Sequence, residues 1–177
     1  MNSSFESSDI ISAGVDDVFG ISEVQKAVWL TTFPNEEYSI TREDVLSEDF
    51  FNPATLQARG QVIADPNAKT KFWVAKANDR VIGYCCAERC EAYNYLRSLY
   101  ILTEFQGRGI GKQLIKKAFD YFDSTKPVRL TVAVYSTQAI AFYEKLGFVK
   151  GKRLARNPEG PFPSGAEVPD MEMWRLV

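Results

Sequence analysis

Gln106-Gly107-Arg108-Gly109-Ile110-Gly111 joins two segments of different periodicity. Before it, Asn94–Leu102 reads as a strand. After it, Ile110, Leu114, Ile115, Ala118 and Phe122 fall on one face of a helix that the pattern starts near Gly107. Three glycines in such a turn let the backbone fold tightly and expose successive N–H groups at a helix N-terminus, where the dipole favours an anion. Arg108 and Lys112 bring positive charge to the same place. The stretch is a phosphate cradle on physical grounds, although without other support such a turn is as often a plain connection. It is neither a Walker A loop, which needs Lys-Ser/Thr after the glycines, nor a dinucleotide fingerprint, because the spacing is G-x-G-x-G.

Outward from the turn the chain alternates in type. Ile10–Val15 reads as a first strand. Asp16 and Asp17 cap a helix with an apolar stripe of Ile21, Val24, Ala27 and Val28, ending near Thr32. Thr41 with Asp44 forms a capping box, and Asn52-Pro53 opens a helix reaching about Ala64. Phe72–Ala77 and Val81–Glu88 form a hairpin across Asn78-Asp79-Arg80. Val128–Val134 is a strand rich in β-branched residues. The helix Gln138–Leu146 starts at a Ser136 or Thr137 cap and stops at Gly147. Phe148–Leu154 and Asp170–Leu176 are strands around the long loop Asn157–Pro169. This order predicts one mixed α/β domain over residues 10–177, after a disordered tail at residues 1–9. The last two strands lie where sheet edges are expected, leaving monomer and homodimer both open.

Composition limits the chemistry. The 177 residues contain no His, which excludes Ser-His-Asp and Cys-His catalysis and His-ligated zinc. Cys85 and Cys86 point to opposite faces of a strand and chelate poorly, so no metal is expected and the thiols read as buried apolar groups of a reducing compartment. The opening MNSSFESSD lacks a basic and an apolar signal region, and no apolar run approaches the ~20 residues that cross a bilayer. A cytoplasmic protein with no membrane partner is the expectation. Charge is lopsided: residues 1–65 hold twelve acids and three bases, the rest eleven acids and eighteen bases. That is unpatterned surface charge, or a cationic ligand on the first part and an anionic one on the second.

The glycine turn, together with Ala139-Ile140-Ala141-Phe142-Tyr143-Glu144-Lys145-Leu146-Gly147-Phe148, resembles the GNAT superfamily of acetyl-CoA-dependent N-acetyltransferases. The turn fits that family's pyrophosphate motif, and the second block fits its A-x-x-F-Y-x-x-x-G-F segment, one helix and one strand further on. Ser136, where many members carry Asn, and Thr103, where many carry Pro, depart from the pattern. The resemblance implies a mostly antiparallel sheet of about seven strands, flanked by four or more helices and splayed between the fourth and fifth strands. It implies that acetyl-CoA is held by Leu99, Tyr100, Ile101 and Leu102 along the fourth strand. Gln106, Gly107, Arg108, Gly109, Ile110, Gly111 and Lys112 would hold it at the turn, and Ser136, Phe142 and Lys145 beyond. A backbone N–H of Tyr100 or Ile101 would stabilise the oxyanion, and Tyr143 would return a proton to the thiolate, although Phe142 and Tyr143 also suit the apolar face of a helix.

The acceptor and base are less constrained. Glu37, Glu88, Glu91, Tyr95 and water remain as bases. Glu36, Glu37 and Tyr38 lie in an acidic stretch suited to a cationic amine, or to a solvated surface. Trp29-Leu30-Thr31-Thr32-Phe33 looks similar to polyamine-type members of the family, which favours a polyamine or small alkylamine over a peptide amine. A non-catalytic acyl-CoA-binding module is the competing reading. Nucleic-acid binding has little behind it, since one cofactor's phosphates or an exposed helix face account for Arg108, Lys112, Lys116 and Lys117, and the pI is about 5.3.

Overall fold

The two-residue turn Asn78-Asp79 sets the centre of the sheet. Both residues adopt positive φ, 48° and 62°, the mirror-image turn whose twist matches flanking strands. It joins β2 (Thr70–Ala77) to β3 (Arg80–Arg89), and β4 (Asn94–Ile101) follows antiparallel. The computed structural model describes residues 9–155 and 161–177. The expected disordered tail and the first part of the Asn157–Pro169 loop lie largely outside the described residues.

The remaining elements are β1 (Asp9–Ser12), α1 (Val18–Thr32), α2 (Arg42–Ser47), α3 (Pro53–Ala64), α4 (Ile110–Tyr121), β5 (Val128–Ala133), α5 (Thr137–Glu144), β6 (Val149–Arg153) and β7 (Asp170–Arg175). Among the described residues seven strands lie in the order β1-β2-β3-β4-β5-β7-β6, with β4–β5 their one parallel pair. Local chemistry explains the helix starts. Thr41 and Asp44 form the predicted reciprocal cap of α2, and the Asn52 side chain accepts from the Ala54 and Thr55 N–H groups ahead of α3. The sheet separates two helical layers. Trp73 faces α4 through Tyr121, with ring centroids 5.7 Å apart, while Val81 meets Gly20 of α1 on the other side. Ile110, Leu114, Ile115 and Ala118 of α4 are buried, each large side chain contributing about 1.5–3 kcal/mol of burial.

Three expectations are corrected. The first strand stops at Ser12, because a 3-10 turn over Val15–Asp17 leads into α1. Helix α4 begins at Ile110 rather than near Gly107, because Gly107 and Gly109 take left-handed φ of 75° and 82° and cannot continue a helix. Strand β7 is not an edge strand: it lies between β5 and β6, and β6 alone closes that side.

The sheet opens between β4 and β5. Pairing covers only Asn94–Leu96 against Val128–Leu130, although β4 continues to Ile101. Asn94, fully buried, fastens the closed end. Its amide donates to the Asp123 and Lys126 carbonyls at 2.8 and 3.1 Å and accepts from the Asp123 N–H at 3.0 Å. Asn94→Ala leaves these backbone groups unsatisfied and should lower unfolding free energy by at least ~2 kcal/mol, measured by urea denaturation.

Candidate active site

At the open end of the splay, backbone direction decides which groups are available. The Leu102 N–H donates to the Ile82 carbonyl of β3 at 2.9 Å. Alternation along an antiparallel strand then turns the Tyr100 N–H toward β3 as well, and those of Leu99 and Ile101 toward the gap. Of the two expected oxyanion donors, Ile101 therefore faces the opening and Tyr100 does not. The Ile101 carbonyl accepts from the Gln106 side chain at 3.0 Å, which ties the glycine turn to the strand end.

The turn itself is a row of exposed donors. A 3-10 turn over Thr103–Phe105 precedes it, and Gly109 caps α4 with no side-chain bond. A Cβ on Gly107 or Gly109 would meet nothing within 4 Å, so positive φ rather than crowding selects glycine there. Gly111 differs: a Cβ would stand 3.2 Å from Ile101 Cδ1 and 3.6 Å from the Phe142 ring. Its bare backbone lets β4, α4 and α5 meet. Arg108 and Lys112 are exposed beside the donors, and the Arg108 guanidinium lies 5.5 Å over the Phe105 ring. Ile110 points into the core, so it offers the cradle its N–H alone.

Tyr143 of α5 is buried in the core, packed against Phe142 and Phe148 at centroid distances of 5.4 and 5.7 Å. Burial, with Tyr100 and Cys85 nearby, pushes its phenol well above the usual tyrosine range. Ser136 precedes α5 without capping it, and Lys145 stands exposed at the far end of that helix. The cradle, Ile101, Phe142 and Tyr143 are thus brought together, and Lys145 is not among them.

A second aromatic cluster occupies the other side of the opening. Trp29 of α1, Val45 of α2 and the loop residues Ile40 and Phe50 on either side of α2 join Ala133, Phe162 and Val168, with Tyr38, Tyr100 and Tyr135 at its margin. Tyr38 stacks on Tyr135 at 5.4 Å, and the Tyr135 hydroxyl donates to the Phe33 carbonyl at 2.9 Å. Glu36 and Glu37 share the turn of Tyr38 but point to solvent. Tyr135 was missed by sequence reasoning. Its one signal was its place directly after β5, at the strand end that frames the opening.

None of the candidate bases lies in the gap. Glu88 is paired with Arg97 at 2.7 Å, Tyr95 meets Thr131 at 3.3 Å at the closed end, and Glu37 and Glu91 are exposed. Cys85 and Cys86 are buried, and burial pushes the Cys86 thiol up to about 12.

The structure thus combines a mixed sheet splayed between β4 and β5 with a glycine turn that leads into the α4 N-terminus. Residues 68–150 match the acetyltransferase (GNAT) domain family, and the described residues have the fold of solved GNAT acetyltransferases. Over 91 residues the chain is 32% identical to N-alpha-acetyltransferase 30 of Schizosaccharomyces pombe, covering 48% of this chain and 61% of that one. The chain therefore spans less than two thirds of that relative's length. The PaiA N-acetyltransferase of Thermoplasma acidophilum, solved in complex with coenzyme A, superimposes with a TM-score of 0.71 at 22% identity, over 97% of this chain and 100% of that one. A spermidine N-acetyltransferase SpeG chimera from Vibrio cholerae and hSSAT gives 0.66 at 22% identity, over 97% and 96% of the two chains.

The residues fit an acetyl-CoA ligand. The N–H groups of Ile110, Gly111 and Lys112, which open α4 and have no intrahelical acceptor, suit a pyrophosphate, and the gap-facing edge of Leu99 and Ile101 suits an amide-bearing arm. Gly109→Val should put ~1–2 kcal/mol of strain into the turn and weaken coenzyme A binding, read together by melting temperature and calorimetric titration.

Proposed function

We propose that the protein is an N-acetyltransferase that moves the acetyl group of acetyl-CoA to a primary amine by direct attack in a ternary complex. The observation that carries this reading is a convergence at one end of the sheet: the glycine cradle, the gap-facing N–H of Ile101 and the buried phenol of Tyr143. The named N-acetyltransferases among its relatives support it.

Acetyl-CoA, when bound, supplies a thioester that is already activated for acyl transfer. The chain's own residues then need to position it, hold charge and move protons. The Ile101 N–H offers a fixed donor to the acyl oxygen, and such donors are worth ~3 kcal/mol in a transition state. Tyr143 keeps its proton on Oη through the neutral range, because burial and its neighbours disfavour the phenolate. It gives that proton to sulfur as the carbon–sulfur bond breaks and the carbon–nitrogen bond forms, and the second proton shed by the acylated nitrogen returns through water to the phenolate. With the candidate acids paired, distant or exposed, the attacking ammonium loses its proton to water.

For the acceptor we favour a polyamine or small alkylamine. The stacked Tyr38–Tyr135 pair and the acidic Glu36-Glu37 rim suit a cation with an apolar stem, and likeness to the SpeG chimera agrees. A peptide amine is the second reading, favoured by the identity to N-alpha-acetyltransferase 30. Initial rates with acetyl-CoA and a panel of spermidine, propylamine, a free-N-terminus peptide and a lysine peptide decide between them. Acetylation confined to the peptides would overturn the polyamine reading.

Tyr143→Phe should lower kcat by about 10²-fold or more while leaving coenzyme A affinity nearly unchanged. A non-catalytic binding module would show no turnover to lose. Because the Tyr143 pKa is raised, its proton stays in place as pH increases. The kcat/KM profile should climb as the acceptor amine deprotonates toward pKa ~10.4, with no descending limb below pH ~9. A fall below that pH would remove Tyr143 as the acid.

A further inference from the structure

At the closed end of the sheet, opposite the splay, the chain leaves a pocket of about 460 Å³, within the roughly 300–1,000 Å³ of small-molecule sites. Three separate segments meet there. The turn entering β2 brings Lys69 and Lys71, the end of β3 brings Arg89, and the loop entering β5 brings Lys126. Among the described residues Glu91 is the one acid in the lining. Helix α4 starts at the glycine cradle and ends at this pocket with Tyr121, so its 12 residues hold the two places about 18 Å apart.

Backbone carbonyls do most of the work of fixing these cations. Lys71 Nζ donates to the Asp65 and Pro66 carbonyls at 3.1 and 2.8 Å. Arg89 Nε donates to the Tyr121 carbonyl at 2.7 Å, Nη2 donates to the same oxygen, and the guanidinium lies 4.1 Å over the Tyr121 ring. The Tyr121 hydroxyl in turn donates to the Lys69 carbonyl at 2.9 Å. Lys126 Nζ donates to the Cys90 carbonyl at 3.5 Å and pairs with Asp123 at 3.3 Å. Lys69, Lys71 and Arg89 have no ion-pair partner among the described residues. Capping the carbonyl end of α4 accounts for Arg89 alone, because a helix end carries only about half a negative charge. That half charge, Glu91 and Asp123 together do not match four cations. A carbonyl fixes the position of a cation and leaves its charge for an anion.

We propose that this pocket binds a phosphoryl group, free or on a small ester. Donors arrive from three sides, which suits tetrahedral oxygens better than a flat carboxylate, and a phosphoryl dianion answers more than one cation. The anion ties β2, β3 and the entry to β5 together. The Lys126 carbonyl accepts from the Asn94 amide at 3.1 Å, so the bound anion braces the hinge from which the splay opens. The site stands apart from the transferase reading, since none of its residues takes part in acetyl transfer.

The test is an amide NMR titration of the full chain with inorganic phosphate, glycerol phosphate and succinate, with hydrogen exchange followed at residues 128–130. Both phosphates should shift the amides of residues 66–71, 89–91 and 126 saturably, with half-saturation at or below ~1 mM at low salt, and slow exchange at 128–130. Tighter binding of the ester marks a phosphorylated metabolite as the ligand, and tighter binding of inorganic phosphate marks the free ion. Lys69→Gln combined with Lys71→Gln should weaken binding at least about tenfold at an unchanged melting temperature, whereas Lys69→Arg with Lys71→Arg should stay within about twofold of the parent chain. Succinate binding as tightly as phosphate, shifts confined to residues 107–112, or unchanged affinity in the Gln variant overturns the site. Saturable binding without slower exchange at 128–130 overturns the bracing role.

Discussion

Asn94 decides where the sheet parts. A parallel β4–β5 pair would naturally zip along its whole length, because each added residue gains ladder bonds on an existing frame. Here it stops after Leu96. The Asn94 side chain spends its hydrogen-bonding capacity on the backbone that enters β5, clamping one end of the pair at full burial. The two strands then diverge from a fixed hinge rather than fraying at random. The glycine turn and Ile101 sit at the far end of that wedge.

The wedge explains a division of labour between the two helical layers. On the α4–α5 side, backbone chemistry dominates: N–H groups freed by positive φ, and a strand edge with no ladder partner. On the α1–α2 side, aromatic side chains dominate, and polar bonds serve to hold them. Tyr100 faces one layer through its ring while its neighbour Ile101 faces the other, so consecutive residues of one strand line both sides of the opening. The period of two in a strand makes this arrangement automatic.

Much of this was legible in the sequence because the signals were local. Caps at Thr41 and Asn52, the Asn78-Asp79 turn, the apolar face of α4 and the stop at Gly147 each depend on neighbours within a few residues, and the structure has each. The cradle was legible for the same reason. The start of α4 was misplaced because helical periodicity extends back into the turn, while the φ of Gly107 and Gly109 does not. The position of β7 was missed because strand order is a nonlocal property: nothing near Asp170 tells which neighbour it will pair. The Tyr135 contact was invisible for that reason too, since its partner Phe33 lies about a hundred residues away in the chain.

The edges of the sheet carry a consequence of another kind. β1 has four residues, and β6 has five, all exposed, with Lys150, Lys152 and Arg153 along it and a register break between Lys150 and Arg153. A second copy adding to β6 would set like charges opposite one another across a ladder that is already interrupted. Growth of the sheet by strand addition at β6 is disfavoured both by that charge and by the broken register.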